Sequence, residues 1–225
     1  MTTTSLTRAA GISAAVAGLI FIGVQINHPP MDVSSVTSTE WAVRSTAKLV
    51  MSALALAGIT GMYLRQVRQA GVLGLVGYLL FSAFYLVTLT IEAIAAFVLP
   101  ALADTAPGYV NDVLAAAAGG TATGDIGLLQ TAFLFAGVAY MAGGLVFGIA
   151  LFRARVLARW AAALLAVGTV ATLALSVLPE SFSRPFAVPT GVALIGLGIS
   201  LWRDQRHPTA PATATTSPAR QHAAR

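Results

Sequence analysis

The stretch TLTIEAIAAFVLP, residues 88–100, sets one carboxylate in the middle of an apolar run. Glu92 is the one acid inside any of the chain's long hydrophobic stretches. A carboxylate near the centre of a bilayer costs at least about 2.5–3.5 kcal/mol on insertion scales, so it calls for a partner or a use. A neighbouring cation would make Glu92 a structural clasp, and a proton held on the acid would make it a proton carrier. A third reading slides the span outward until Glu92 sits among headgroups. The cations at hand are Arg44 and Lys48, which with Glu40 step along the chain at four-residue spacing. Gln25, His28 and Gln130 fall near the outer ends of their own apolar runs. Together with Tyr85 these residues form a candidate polar pocket: Glu92, Lys48, Arg44, Gln25, His28, Gln130 and Tyr85. His28 precedes Pro29 and Pro30 at a helix exit, where a histidine usually hydrates; ligand binding or pH sensing is its functional alternative.

Helical spacing makes a face of the third apolar run. Tyr78, Ser82, Tyr85, Thr88 and Glu92 recur at three or four residues, so they stack along one side. Lipid-facing surfaces do not concentrate polar groups in this way, so that side should look into a helix bundle. Gly11 and Gly18 in the first run, Gly137, Gly144 and Gly148 in the fourth, and Thr169, Thr172 and Ser176 in the fifth form further stripes. Small and hydroxylated residues let membrane helices approach and bond, so these stripes read as packing surfaces.

The elements that must position these groups follow from hydropathy. Of 225 residues, 57% are hydrophobic and 9% charged. Soluble domains average about 45–50% apolar and about 25% charged. Six apolar segments approach or exceed the roughly 20 residues that cross a hydrocarbon core: roughly 9–27, 47–64, 71–99, 126–152, 157–178 and 186–202. The first follows Arg8 but leads into QINHPP without a small-residue cleavage pattern, so it reads as an uncleaved span. The expected fold is all-α, a polytopic bundle of six transmembrane helices over residues 1–206. A short interfacial helix, Pro107 to the Gly119–Gly120 stop, is expected between the third and fourth spans. Its Val110, Val113, Leu114 and Ala117 share one face and could lie over the bundle mouth. TSTE, residues 37–40, fits a capping box at the start of the second helix. The Pro-, Thr- and Ala-rich tail, 207–225, lacks the apolar surface to fold and reads as disordered.

Charge orients this bundle. With the N-terminus in the cytoplasm, Arg8, Arg65, Arg68, Arg153, Arg155, Arg159, Arg203, Arg206, Arg220 and Arg225 lie inside. Only Arg44, Lys48 and Arg184 lie outside, as the positive-inside rule requires. Both termini are then cytoplasmic, and the candidate pocket opens outward. The net charge of +5 and the pI near 10.2 arise from these loop arginines and not from a clustered basic patch, so a nucleic-acid partner is not expected. The lipid bilayer is the partner the composition demands. Protons, a small solute, a membrane protein or a second copy are the further candidates.

Other chemistry has little to stand on. With no Cys the chain can form no disulfide, thiolate metal site or cysteine nucleophile. GxSxG, HExxH and Walker A patterns are absent. His207 and His222 fall in the tail, so no pair of intramembrane histidines exists for a haem; no cofactor or metal is expected. The stretches GGLVFGIALFRARVLARWAAALLAVGTV and RAAGISAAVAGLIF resemble a broad set of uncharacterised six-span bacterial membrane proteins. That resemblance implies a compact bundle in a bacterial plasma membrane, a source that the Arg- and Ala-rich composition also suggests. It implies no activity. The leading functional expectation is a small-solute or proton-linked transporter; the alternative is a non-catalytic scaffold or sensor partner locked by the same polar residues. An enzyme would have only Glu92 and His28 to work with.

Overall fold

A computed structural model describes residues 2–26, 30–172 and 187–204. Among these residues the chain is all helix and turn. It runs α1 (Thr3–Gly23), α2 (Val33–Val36), α3 (Thr39–Arg65), α4 (Val67–Phe97), α5 (Leu99–Leu102), α6 (Pro107–Ala117), α7 (Leu129–Ala154), α8 (Arg159–Ala171) and α9 (Val188–Asp204). The six longer bundle helices pack in a closed ring. α1 lies on α3, α3 on α4, α4 on α7, α7 on α8, α8 on α9, and α9 returns to α1. The ring's core is apolar, with Ile59, Met62, Phe81, Tyr85, Phe147, Leu165 and Leu197 fully buried.

Four of these helices, α1, α3, α4 and α7, are long and apolar enough to cross a membrane, not six. The expectation of six spans fails at its last two segments. α8 has 13 residues in its described part and α9 has 17, or about 20 and 26 Å at 1.5 Å per residue, against a hydrocarbon core about 30 Å thick. Hydropathy counts apolar residues, whereas helix length depends on where the backbone stops. Arg155 closes α7 in the left-handed conformation (φ 57°, ψ 23°), and α8 begins only at Arg159. The upper part of the expected fifth span, the start of the sixth, His28 and the 207–225 tail lie outside the described residues. Both shorter helices still pack in the ring, and Ala158 N–H donates to Ser200 Oγ across them at 2.9 Å.

Glycines set the closest crossings. Gly77 of α4 lies on the backbone of Phe147, and Gly143 of α7 lies on the backbone of Phe81. Two G-x-x-x-F segments, 77–81 and 143–147, therefore interlock antiparallel, each glycine taking the other's phenylalanine. Gly18 and Gly191 do the same for α1 and α9. Polar bonds finish the job: Tyr140 and Thr190 hydroxyls meet at 2.7 Å, Thr60 and Tyr78 at 3.1 Å, and the Arg65 guanidinium donates to the Asp204 carboxylate.

A smaller second core caps one end of the ring. Val36, Trp41, Leu99, Val110, Val113, Leu114, Ala116 and Ile126 are buried together. The loop helix forms as α6, started by Pro107 and packed into this cap through Val110, Val113, Leu114 and Ala116. Ala116 takes the buried place expected of Ala117. The expected capping box does not form, although a serine one residue on caps the helix. Ser38, not Thr37, caps α3 by accepting from Trp41 N–H at 3.1 Å, and Glu40 turns to Arg44.

Asp112 ties the cap together. Its carboxylate accepts from Thr123 N–H and Oγ–H, both at 2.8 Å, and from Gly124 N–H at 3.0 Å. Those donors hold the carboxyl below its ordinary value. Its anion therefore favours the ordered loop above the ordinary carboxylate pKa, and that contribution is lost as pH falls through the lower folded value. Asp112→Ala is expected to speed amide exchange at Thr123 and Gly124 on the order of tenfold at neutral pH. The wild-type rates should approach the variant's under strong acid. Equal rates at neutral pH would mean the clasp is not formed.

Candidate functional site

α3 and α4 run antiparallel around Gln66, which brings the start of α3 beside the end of α4. Lys48 and Glu92 meet there, with Nζ 3.3 Å from Oε1. Their side chains are 23% and 12% exposed, so the pair sits largely inside the protein. Taking two charges out of water costs several kcal/mol each, and each is tolerable here because the other is present.

The pair lies on the wall of a cavity of about 910 Å³. Gln25 and Met31 border it from the α1 exit, Trp41 from α3, Thr88 and Ile91 from α4, Leu114 from α6 and Phe133 from α7. The lining is mostly apolar, and the ion pair, the Gln25 amide and the Thr88 hydroxyl are its polar points. Such a wall suits a small molecule with an apolar body and a polar or charged head.

The other expected pocket residues do different work. The Arg44 guanidinium grips Glu40 Oε1 at 2.8 and 3.0 Å and the Val24 carbonyl at 3.0 Å. That carbonyl belongs to the C-terminal end of α1, where a cation also answers the helix dipole. Gln130 serves the cap loop, accepting from Ala122 N–H at 3.1 Å and donating to the Gly120 carbonyl at 3.3 Å. Tyr85 is fully buried one turn beyond Thr88, packed on Phe81 and Phe84 with ring centroids 4.9 and 4.8 Å away. Its hydroxyl and that of Ser82 have no hydrogen-bond partner among the described residues. His28 lies outside them. Glu92, Lys48 and Gln25 thus share one cavity, while Arg44, Gln130 and Tyr85 are not part of its lining.

Sequence reasoning placed the loop helix over the bundle mouth but missed Trp41 and the part the cap plays as a wall of the cavity. Trp41, Ser45, Lys48 and Ser52 form the inward face of α3, spaced by four, three and four residues. Trp41 Nε1 donates to the Ala95 carbonyl at 2.9 Å and so pins the cap to α4. The alternative series Glu40, Arg44, Lys48 drifts by about 80° over its eight residues at 100° per residue, which carries its first members off the cavity face. Among the described residues no cluster of three or more His, Cys, Asp or Glu side chains could hold a metal.

These features define a polytopic, helical membrane protein. No family model, curated protein or solved structure matches the chain, so the resemblance to six-span bacterial proteins gains no support and assigns no family.

Proposed function

We propose that the protein is a small-solute or proton-linked transporter whose binding pocket is the Lys48–Glu92 cavity. The observation that carries this reading is a cavity of about 910 Å³ with a largely buried ion pair, an amide and a hydroxyl set among mostly apolar lining residues. Ligand sites commonly run about 300–1,000 Å³ with a few convergent polar groups. An intramembrane ionisable residue also marks function by default. Phe81, Phe84, Tyr85, Tyr140 and Phe147 pack as mostly tilted rings beyond the pocket and would have to part for a solute to pass. Arginines gather at the opposite helix ends, which supports a cytoplasmic placement of that end and an outward-facing pocket. The Arg- and Ala-rich composition supports a bacterial plasma membrane.

A second reading has its own observation. Lys48–Glu92 and Arg65–Asp204 both bridge different helices, as the clasps of a scaffold or sensor partner would. Reconstitution separates the two. In proteoliposomes with an entrapped pH dye, wild type is expected to move protons down an imposed gradient, with or without an added solute mixture. Glu92→Gln should remove at least about nine-tenths of that flux while remaining folded, since it mimics the protonated acid. Equal flux from both proteins and empty vesicles would reject proton-linked transport and favour the clasp.

A further inference from the structure

The ring carries a second recess, far from the cavity and at its arginine-bearing end. A groove of about 620 Å³ runs between α8 and α9, lined by Trp160, Val192, Ile195, Ile199, Ser200 and Arg203, with Asp204 at its end. Gly196 makes the groove possible: the Trp160 indole lies across it where any side chain would collide. Trp160 and Ile199 are exposed, at 59% and 41%, so the apolar wall faces outward from the ring.

Its length and polarity match one lipid molecule. From Val192 to Arg203 the α9 wall extends about 16 Å at 1.5 Å per residue. Half of a hydrocarbon core about 30 Å thick is nearly the same distance. The upper groove is aliphatic, whereas Arg203 and Ser200 mark the lower end, and the Trp160 indole crosses about one turn above Ser200, at Gly196. Among the described residues, Arg8, Arg65, Arg68, Arg153, Arg155, Arg159 and Arg203 lie at this end, with Asp204 the one acid. Asp204 already answers Arg65, so the local field is positive.

We infer that the groove between α8 and α9 binds an anionic phospholipid, its acyl chain along Ile195 and Ile199 and its phosphate at Arg203. Basic pockets between membrane helices favour anionic headgroups because the charge is met at the depth where the headgroup must sit. This site is independent of the solute cavity.

The test uses the full chain in mild detergent, doped with dioleoyl phosphatidylglycerol or dioleoyl phosphatidylcholine at equal mole fraction. Phosphatidylglycerol is expected to raise the unfolding midpoint by a few degrees more than phosphatidylcholine, as a ligand of the folded state does. Arg203→Gln should erase most of that difference, Arg203→Lys should keep part of it, and Arg68→Gln should leave it intact. Trp160→Ala should lower retention of either lipid in native mass spectrometry. Equal midpoints with both lipids would overturn the inference. So would a preference that survives Arg203→Gln but is lost in Arg68→Gln, which would assign it to the general basic surface. Matching stabilisation by glycerol 3-phosphate alone would also overturn it, since the acyl groove would then contribute nothing.

Discussion

Lys48→Met is expected to destabilise the protein by about 3 kcal/mol, the lower end of what removing one partner of a buried ion pair costs. The lower end applies because the cavity gives both side chains some solvent access. Met keeps the unbranched stem, so the change strands the Glu92 carboxylate on the mostly apolar cavity wall without opening a large void. For a chain of this size that corresponds to roughly 6–12 °C in unfolding midpoint. Glu92→Gln should cost less, because the flexible lysine stem can carry its ammonium towards water. The double variant Lys48→Met with Glu92→Gln should recover much of the loss, since no charge remains buried. Midpoints compared at one scan rate in mild detergent measure the three variants together. A Lys48→Met midpoint equal to wild type would show that Glu92 is solvated without Lys48. The pair would then not be a clasp.

Gly77→Leu is expected to be at least as damaging, for a reason unrelated to charge. A side chain at Gly77 meets the backbone N and Cα of Phe147, and one at Gly143 meets the same atoms of Phe81. A side chain in the way could rotate, but a helix backbone cannot. α4 and α7 must separate, which loosens the packing of Phe81 and Phe147 at the centre of the ring. Overpacking typically costs about 1–3 kcal/mol and occasionally more, and a backbone collision belongs at or beyond the upper end. Gly137 on α7, the helix of Gly143, provides the control, because nothing lies within 4 Å of a Cβ built there. Gly137→Leu should be neutral or slightly stabilising through helix propensity. Circular dichroism melts of both variants test the pair of statements; similar melts for Gly77→Leu and Gly137→Leu would refute the interlock.

Much of this could be read before any coordinates. The third run's face, Tyr78 to Glu92, points to the ring interior at Tyr85 and to the cavity at Thr88 and Glu92 because helical period alone fixes which residues share a side. Lys48 and Arg44 were both at hand for Glu92, and spacing could not choose between them. The choice depends on how α3 rolls against α4, and Trp41 decides that by bonding the Ala95 carbonyl. Gln130 looked like pocket material from its depth, yet its amide completes a loop whose fold no local pattern announces.

By itself the sequence determined that the protein is helical, lipid-embedded and polytopic, because apolar content, run length and backbone hydrogen bonding are local properties in a bilayer. It also carried close-crossing glycines at Gly11, Gly18, Gly144 and Gly148, whereas Gly137 meets nothing and the Gly77–Gly143 interlock was not singled out. Tertiary structure alone decided that four helices, not six, reach spanning length in the described chain. It also decided that Trp41 joins α6 in the cap and that Glu92 meets Lys48 on the wall of a cavity. Those outcomes depend on where helices stop and how neighbours rotate, and both are set by contacts between residues far apart in the chain.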